Sequence, residues 1–185
     1  MNDRNASLGA TTISLHWVLA VAMIGMLAFG LILEDMARGE TKSWLIWWHK
    51  SLGVAILVLA IGRLIWRLGE GMPRPLSAMP AWQARVAKAT HVVLLLGTLA
   101  MPISGMMMTF GSGRAIDVFG LFTVGPFGKM ELIDEIGEIV HGLGGKLLIA
   151  AIVLHILGAL KHQFIDRDGT LARMAGRRVA PATRG

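Results

Sequence analysis

The sequence predicts an all-α membrane protein, an antiparallel bundle of four transmembrane helices with both termini in the cytoplasm. Three observations lead to this fold class. The chain of 185 residues is 54% hydrophobic and only 16% charged, whereas a soluble domain averages about 25% charged residues. Its apolar residues form four long runs, and the charges between those runs alternate in sign. We expect one membrane domain over residues 1–185, ending in a basic tail at 165–185.

Each of the four apolar runs approaches the roughly 20 residues that a helix needs to cross the bilayer core. The predicted spans cover residues 12–33, 44–66, 86–110 and 134–164. Stretches rich in glycine or proline lie between them, at residues 71–80 and 111–128. The sequence shows no alternation typical of strands, so we expect the bundle to be helical throughout.

The charged residues between the spans predict the direction of each helix. The first and third connections carry net charges of −1 and −3, whereas the second connection and the segment from Lys161 onward each carry +4. Connections with an excess of lysine and arginine stay on the cytoplasmic side of a membrane. We therefore expect both termini and the middle connection in the cytoplasm, with lipid around the apolar faces.

The composition excludes several kinds of site. The chain has no cysteine, which excludes disulfides, iron–sulfur clusters and covalently attached c-type haem. The net charge is +6, but the charged residues lie at the ends of the apolar runs and form no continuous basic face. A nucleic-acid partner is therefore not expected. Histidine and methionine remain as ligands for a soft or borderline metal. The methionine run at 106–108 is typical of apolar packing.

The histidines are the unusual feature of the spans. At least five of the six lie inside or at the edge of a predicted span, where an ionisable side chain is costly and usually functional. His141, His155 and His162 share one stripe of the fourth span, because a 14-residue step falls only about 40° short of four full helical turns. The same step separates His141 from His155 by about 21 Å along the axis. One metal ion cannot bridge that distance, so the stripe predicts two separate centres.

Each centre needs a second ligand from another helix. On the outer side the other histidine is His49, which we therefore pair with His141. On the cytoplasmic side either His16 or His91 is at the depth of His155, and spacing does not choose between them. Two neutral imidazoles on facing helices suit a b-type haem held without covalent attachment. The sequence thus predicts two b-type haems.

Small residues and one arginine accompany these histidines. Glycines near the outer pair would leave room for a porphyrin edge, namely Gly53, Gly142, Gly144 and Gly145. The 14-residue step also leads from three histidines to the depth of the opposite centre, at Gly30, Gly105 and Arg63. Glycine there would let a ring approach the backbone, although glycines also serve close helix packing. Arg63 is a candidate partner for the propionates of the inner haem.

Four stretches of the sequence together carry a family resemblance. They are ISLHW, WWHKSLGVAILVLAIGRLIWR, THVVLLL and HGLGGKLLIAAIVLHILGALKHQFIDRDGTLARM, one in each span. They resemble the prokaryotic cytochrome b561 family of small four-span, two-haem membrane proteins, over nearly the whole chain. The resemblance implies His16 with His155 as ligands of the inner haem and His49 with His141 as ligands of the outer haem. It leaves His91 without iron.

The resemblance also implies a function in the bacterial inner membrane. The chain is expected to be an oxidoreductase that oxidises superoxide, or another one-electron donor, on the periplasmic side and reduces ubiquinone. Within the same family, the alternative is a cytochrome b subunit that passes electrons from a partner dehydrogenase or hydrogenase to quinone, but short loops offer little docking surface. A third alternative, a non-redox channel or structural bundle, would show no b-type absorption bands.

Two residues are candidates for a catalytic role in that reaction. His162 is placed to hydrogen bond a quinone carbonyl and to supply a proton from the cytoplasmic side; alternatively it is an interfacial residue facing headgroups. Lys50, like Lys146, lies beside an outer ligand, and its charge would attract an anion such as superoxide. Alternatively these lysines extend to the interface or pair with nearby acids.

Overall fold

The computed structural model describes residues 7–71, 73 and 75–179. The long helices are α1 (Ala10–Asp35), α2 (Glu40–Glu70), α3 (Ala81–Gly111) and α4 (Glu131–Lys161). Strands β1 (Ile116–Val118) and β2 (Phe122–Val124) lie between α3 and α4. After α4 come a π-helical segment (His162–Asp166) and the short helix α5 (Thr170–Met174). Parts of the predicted domain, loop and tail lie outside the described residues, at 1–6, 72, 74 and 180–185.

The four predicted spans are confirmed as helices long and apolar enough to cross a membrane. At every boundary but the last, the helices extend beyond the predicted spans, because a helix continues into the polar interface after its apolar part ends. Helix α4 instead ends at Lys161, before the predicted end at 164, and the π-helical segment covers the remainder of that span. Helix α2, for example, begins with Glu40 and has Arg67 in its last turn. An acid in the first turn and a base in the last turn both interact favourably with the helix dipole.

The long helices run antiparallel, so the bundle has two distinct ends. Near the start of α1 and the end of α2, the Trp66 indole N–H donates to the Thr12 hydroxyl at 3.0 Å. We call this the terminal end, since the described chain starts and finishes there. The opposite end is the hairpin end, where β1 and β2 lie. At the terminal end, α5 is attached to α1 by a bond from the Trp17 indole to the Met174 carbonyl at 2.9 Å.

The closest helix packing is between α3 and α4, and it depends on glycine. A Cβ atom on Gly137 of α4 would stand 2.7 Å from the backbone nitrogen of Met108, and one on Gly97 of α3 would stand 2.6 Å from a methyl carbon of Leu148. Small residues of this kind allow helix backbones to approach in a membrane. The buried core is correspondingly small and consists of Leu19, Met23, Ile56, Ala60 and Leu148. Many other large apolar side chains face outward, as expected where lipid is the solvent.

The connection between α3 and α4 contains a β-hairpin that the sequence did not predict. Its strands are antiparallel, with Ile116 opposite Val124 and Val118 opposite Phe122. Strands of three residues are too short to show an alternating pattern. The hairpin is fastened to α2 through Ser51, whose hydroxyl donates to the Asp117 carbonyl and accepts the backbone N–H of Phe119, both at 3.1 Å. These bonds fold the hairpin over one end of the bundle.

Candidate functional site

Five histidines meet inside the bundle at two levels. Near the hairpin end, the rings of His49 and His141 have centroids 6.3 Å apart; we call them the hairpin-level pair. Near the terminal end, the ring of His155 lies 6.2 Å from that of His16 and 5.1 Å from that of His91. We call these three the terminal-level cluster. The structure thus brings together both predicted pairs, and it also keeps His91 in contact with His155.

His141 is oriented by the backbone of α3. Its Nδ1 lies 3.0 Å from the carbonyl oxygen of Met101 and 3.0 Å from the hydroxyl of Ser104. A carbonyl only accepts, so the Nδ1–H of His141 donates to it. In a neutral imidazole the other nitrogen, Nε2, then carries a lone pair. Metal-ligating histidines are commonly held by such a bond from the second ring nitrogen, and neither Met101 nor Ser104 was recognised from the sequence.

His49 completes this level with an unsatisfied nitrogen. Its Nδ1 is buried and has no hydrogen-bond partner within the part of the chain that the structure describes. Gly30 and Gly105 border the pair: a Cβ atom on Gly30 would stand 3.6 Å from Cε1 of His49, and one on Gly105 would stand 3.3 Å from Cε1 of His141. Both glycines therefore lie where the 14-residue step placed them, directly beside an imidazole ring.

The other predicted glycines divide into two kinds. A Cβ atom on Gly53 or Gly142 would meet no atom of the described residues within 4 Å, so these positions border open space within that part of the structure. Gly144 and Gly145 instead face Met101 of α3, at 3.3 Å from its sulfur and 3.5 Å from its terminal methyl. The first two are compatible with room for a ring edge, whereas the second two serve the packing of α4 on α3.

At the terminal level, the half-buried Arg63 contacts His16. Its Nη2 lies 3.1 Å from Nδ1 of His16, and since a guanidinium only donates, Nδ1 is the acceptor. The neutral His16 ring then carries its proton on Nε2, opposite to the arrangement in His141. Ligation through Nε2 therefore requires Arg63 to leave this nitrogen or His16 to lose the proton. His91 is held differently, by a bond from its ring to the backbone of Ala87.

The donor set fits b-type haem. Metal–nitrogen distances of about 2 Å, plus about 1 Å from each nitrogen to its ring centre, place two imidazoles on opposite sides of one ion about 6 Å apart. The His49–His141 and His16–His155 separations match that value. The His91–His155 separation of 5.1 Å is about an ångström too short. The buried Nδ1 of His49, which lacks a partner among the residues described, agrees with the same interpretation. So do the glycines beside the His49 and His141 rings.

Lys50 and Lys146 have different surroundings. Lys50 is half-buried on α2 and close enough to Arg114 for their charges to repel. Among the described residues no hydrogen bond or ion pair engages Lys50. Lys146 is exposed on the outer face of α4. Neither lysine pairs with the nearby acids Asp134 and Glu138 in the described part of the chain, so the structure does not show the alternative in which the lysines form ion pairs.

His162, the first residue of the π-helical segment, belongs to a hydrogen-bonded network at the terminal end. Its Nδ1 lies 2.7 Å from Asp168 and 3.2 Å from Asp166. The Ser77 hydroxyl donates to the same Asp168 oxygen at 2.8 Å, and the Thr170 backbone N–H donates to the other at 2.9 Å. Lys161 pairs with Asp166 at 2.7 Å. None of these partners of His162 was identified from the sequence. The i,i+4 spacing could have indicated Asp166, but no sequence pattern indicates Asp168 or Ser77.

The Asp168 carboxylate is stabilised in its ionised form. Burial raises its pKa, but hydrogen bonds from Thr170, Ser77 and His162 outweigh burial and hold the pKa below its ordinary value. Burial also lowers the pKa of Arg173, which the nearby Asp168 opposes. The negative charge of Asp168 and the positive charge of Arg173 therefore stabilise each other, and both side chains are buried.

Two open grooves lie at the terminal end. One of about 490 Å³ is lined by Leu15, Gly62, Ile65, Trp66, Gly69 and Glu70. The other, of about 410 Å³, is lined by Gln163, Phe164, Arg167, Gly169 and Ala172. His162 lines neither of them, although the second begins at the residue that follows it.

Comparison with known proteins agrees with the motifs. A family model described as prokaryotic cytochrome b561 matches residues 7–177, which include the four long helices and all six histidines. The chain is 32% identical over 179 residues to cytochrome b561 homolog 2 of Escherichia coli (strain K12), covering 91% of each. It is 29% identical over 164 residues to a Yersinia pestis protein named "Probable superoxide oxidase CybB", covering 88% of this chain and 92% of that protein. Cytochrome b562 of Cereibacter sphaeroides is 28% identical over 167 residues, with 88% and 90% covered.

Proposed function

Because the chain belongs to the prokaryotic cytochrome b561 family, it is a multi-pass inner-membrane protein of electron transfer that uses b-type haem, and we propose that it oxidises superoxide and reduces ubiquinone. The observation that carries this proposal is that imidazole pairs lie at two levels of one bundle. Two b-type haems held there would supply one-electron carriers between a one-electron donor and a two-electron acceptor.

The proposed ligands are His49 with His141 at the hairpin level and His16 with His155 at the terminal level. The nearly equal ring separations of the two pairs, 6.3 and 6.2 Å, support this choice over His91. His91 then packs against His155 and holds its ring in place. Arg63 is proposed to give up its contact with His16 and to pair with a haem propionate, which frees the ring of His16.

Superoxide is proposed to approach the hairpin end. One relative carries a superoxide oxidase name. Lys50, which has no ion-pair partner among the described residues, supplies a cation beside the proposed ligand His49 on α2. Arg114 stands close enough to add to its positive field. Such a field raises the local concentration of an anion. Lys146 has a lesser role, because it is exposed on the outer face of α4.

Ubiquinone is proposed to bind at the terminal end, near His162. Two superoxide anions, one quinone and two protons yield two dioxygen molecules and one quinol. His162 is the proposed donor of a proton to a quinone oxygen. The positive charge of the connections at this end supports a cytoplasmic location for it and a periplasmic location for the hairpin end. The cytoplasm would then supply those protons.

The proposal is tested with purified protein in lipid nanodiscs. Superoxide from xanthine oxidase, with catalase present, should produce the absorption bands of reduced b-type haem, and a short-chain ubiquinone should then remove them. Superoxide dismutase should abolish the first step. Lys50→Gln should slow it several-fold at low ionic strength, with Lys146→Gln as the matched control.

Two results would overturn parts of this proposal. If superoxide leaves the spectrum unchanged but quinone still oxidises chemically reduced protein, the chain is instead a cytochrome b subunit that receives electrons from a partner dehydrogenase or hydrogenase. A rate that does not change with ionic strength would remove the role of Lys50.

A further inference from the structure

The network around His162 contains a residue with a specific role in the reaction. We propose that Asp168 is a positioning residue, which holds the Nδ1–H of His162 so that Nε2 is the nitrogen presented to the quinone. This inference rests on the proposed reduction of quinone beside His162.

The contact between the two side chains is short and enclosed. Nδ1 of His162 lies 2.7 Å from Oδ2 of Asp168, within the range of a charge-assisted hydrogen bond. The side chain of Asp168 is 3% exposed, whereas that of His162 is 18% exposed. The carboxylate is therefore behind the ring, and the ring retains some access from outside.

The chemistry of the pair determines which nitrogen is available. An ionised carboxylate only accepts hydrogen bonds, and the low pKa of Asp168 keeps it ionised. Nδ1 of His162 must then carry a proton. The remaining nitrogen, Nε2, is the one that gains a proton from the cytoplasmic side and passes it on. Without Asp168, either nitrogen would carry the proton of the neutral ring, and the ring would be free to turn.

Asp168 is itself fixed by residues from separate parts of the chain. Ser77, from the connection between α2 and α3, donates to the oxygen that His162 contacts. The Thr170 N–H at the start of α5 donates to the other oxygen, and Arg173 of α5 is close enough to interact with the charge. A positive-φ conformation at Gly169 turns the chain between Asp168 and α5.

The second carboxylate of the network has a different role. Asp166 lies 3.2 Å from the same nitrogen of His162, but both of its oxygens contact Lys161, at 2.8 and 2.7 Å. The three groups His162, Asp166 and Asp168 are close enough to resemble a metal site. However, Lys161 already neutralises Asp166, and Ser77 and Thr170 already bond Asp168. The carboxylates of this network are therefore satisfied by Lys161 and by hydrogen bonds from Ser77 and Thr170.

The protons in this step balance with Asp168 unchanged. Reduction of one quinone to quinol takes two electrons and two protons. The two electrons come from the two superoxide anions of the proposed reaction. One proton passes from Nε2 of His162 to one quinone oxygen, and Nε2 then regains a proton from the cytoplasmic side. The other quinone oxygen takes the second proton from water on that side. Asp168 remains ionised throughout and contacts neither the quinone nor the iron. Among the described residues, the charged groups in contact with the ring are Asp166 and Asp168. Lys161 pairs with Asp166, and Arg173 lies near Asp168.

The test compares three variants in nanodiscs: Asp168→Asn, Asp166→Asn and Ser77→Ala. The first removes the proposed positioning charge. The second is the matched control for losing a carboxylate near the same nitrogen, and the third removes a neighbouring bond while keeping the charge. Oxidation of reduced protein by a short-chain ubiquinone is followed by stopped flow across pH, which yields kcat and KM. Solid-state ¹⁵N spectra, assigned by comparison with His162→Gln, report the protonation of His162.

We expect Asp168→Asn to lower kcat at least tenfold, with little change in KM, to alter the pH profile and to move the ¹⁵N signal of His162. The two controls should stay within threefold of the original protein. The inference is overturned if Asp168→Asn matches Asp166→Asn or if the pH profile is unchanged. A spectrum of the original protein without a proton on Nδ1 would overturn it too, even if Asp168→Asn does not fold. If the original protein is inert to quinone, the proposed function itself fails.

Discussion

The imidazole rings of His49 and His141 lie opposite each other on different helices, with centroids 6.3 Å apart and nearly perpendicular planes, inclined by 79°. The carbonyl of Met101 orients the His141 ring, while the buried Nδ1 of His49 has no hydrogen-bond partner in the described part of the chain. This pair is the part of the site on which the first prediction depends.

Replacing His49 or His141 by alanine should remove the haem of the hairpin level and leave that of the terminal level. Each ring is half of one proposed ligand pair, and no other described histidine ring contacts them. Haem per chain, determined from the pyridine haemochrome spectrum, is the measurement. His91→Ala is the matched control and should retain both haems. Retention in His16→Ala with loss in His91→Ala would reverse the assignment at the terminal level.

Gly105→Ala should weaken haem retention at the hairpin level, whereas Gly30→Ala should have little effect. The new methyl group would stand 3.3 Å from His141 in the first case and 3.6 Å from His49 in the second. Only the contact at Gly105 is short enough to displace an imidazole ring, that of His141. Haem loss to apomyoglobin measures the difference. The control is Gly69→Ala at the other end of α2, where the new methyl group meets nothing within 4 Å among the described residues. Equal rates for all three variants would contradict the role of Gly105.

Arg63→Ala should lower the midpoint potential of the terminal-level haem. Arg63 brings a half-buried positive charge within 3.1 Å of His16, and removing it favours the oxidised iron, which carries more positive charge. We expect a decrease on the order of 59 mV, a tenfold change for a one-electron couple. A redox titration followed at the b-type bands measures it. Arg63→Lys keeps the charge and should recover part of the shift; an unchanged potential in Arg63→Ala would exclude the proposed role.

Ser51→Ala should destabilise the β-hairpin by about 1–3 kcal/mol, because it leaves the Asp117 carbonyl and the Phe119 N–H without their partner. The side chain of Ser51 is fully buried, so water cannot readily replace its hydroxyl. Hydrogen exchange of the Phe119 amide is the measurement. Ser43→Ala on the exposed face of α2 is the control. Exchange as slow as in the original protein would show that the hairpin is held by other contacts.

Acidification should loosen the network around Asp168. The folded pKa of Asp168 is lowered, so its contribution to stability is complete above the unfolded value of about 3.9. That contribution is lost as pH falls through the lower folded pKa. Exchange of the Thr170 amide, followed as pH is lowered, measures this loss. Asp168→Asn should remove the pH dependence; if the dependence persists in that variant, another group is responsible.

The sequence by itself determined the number, length and order of the long helices. Apolar runs near the thickness of a bilayer leave the backbone little alternative to a helix. It also determined which histidines share a level, because rise and rotation per residue are nearly constant in an α-helix. The positions of Gly30 beside His49 and of Gly105 beside His141 follow from the same regularity.

Only the tertiary structure decided how these elements meet at their ends. It brought Ser51 against the hairpin, Arg63 against His16, and Ser77 together with Asp168 behind His162. It also set the distances of the His16 and His91 rings from His155, which differ by about an ångström. These contacts join residues far apart in the chain through irregular connections or through helix rotation. No periodic pattern encodes such contacts, because they depend on where each side chain finds a hydrogen-bond partner after the helices have packed.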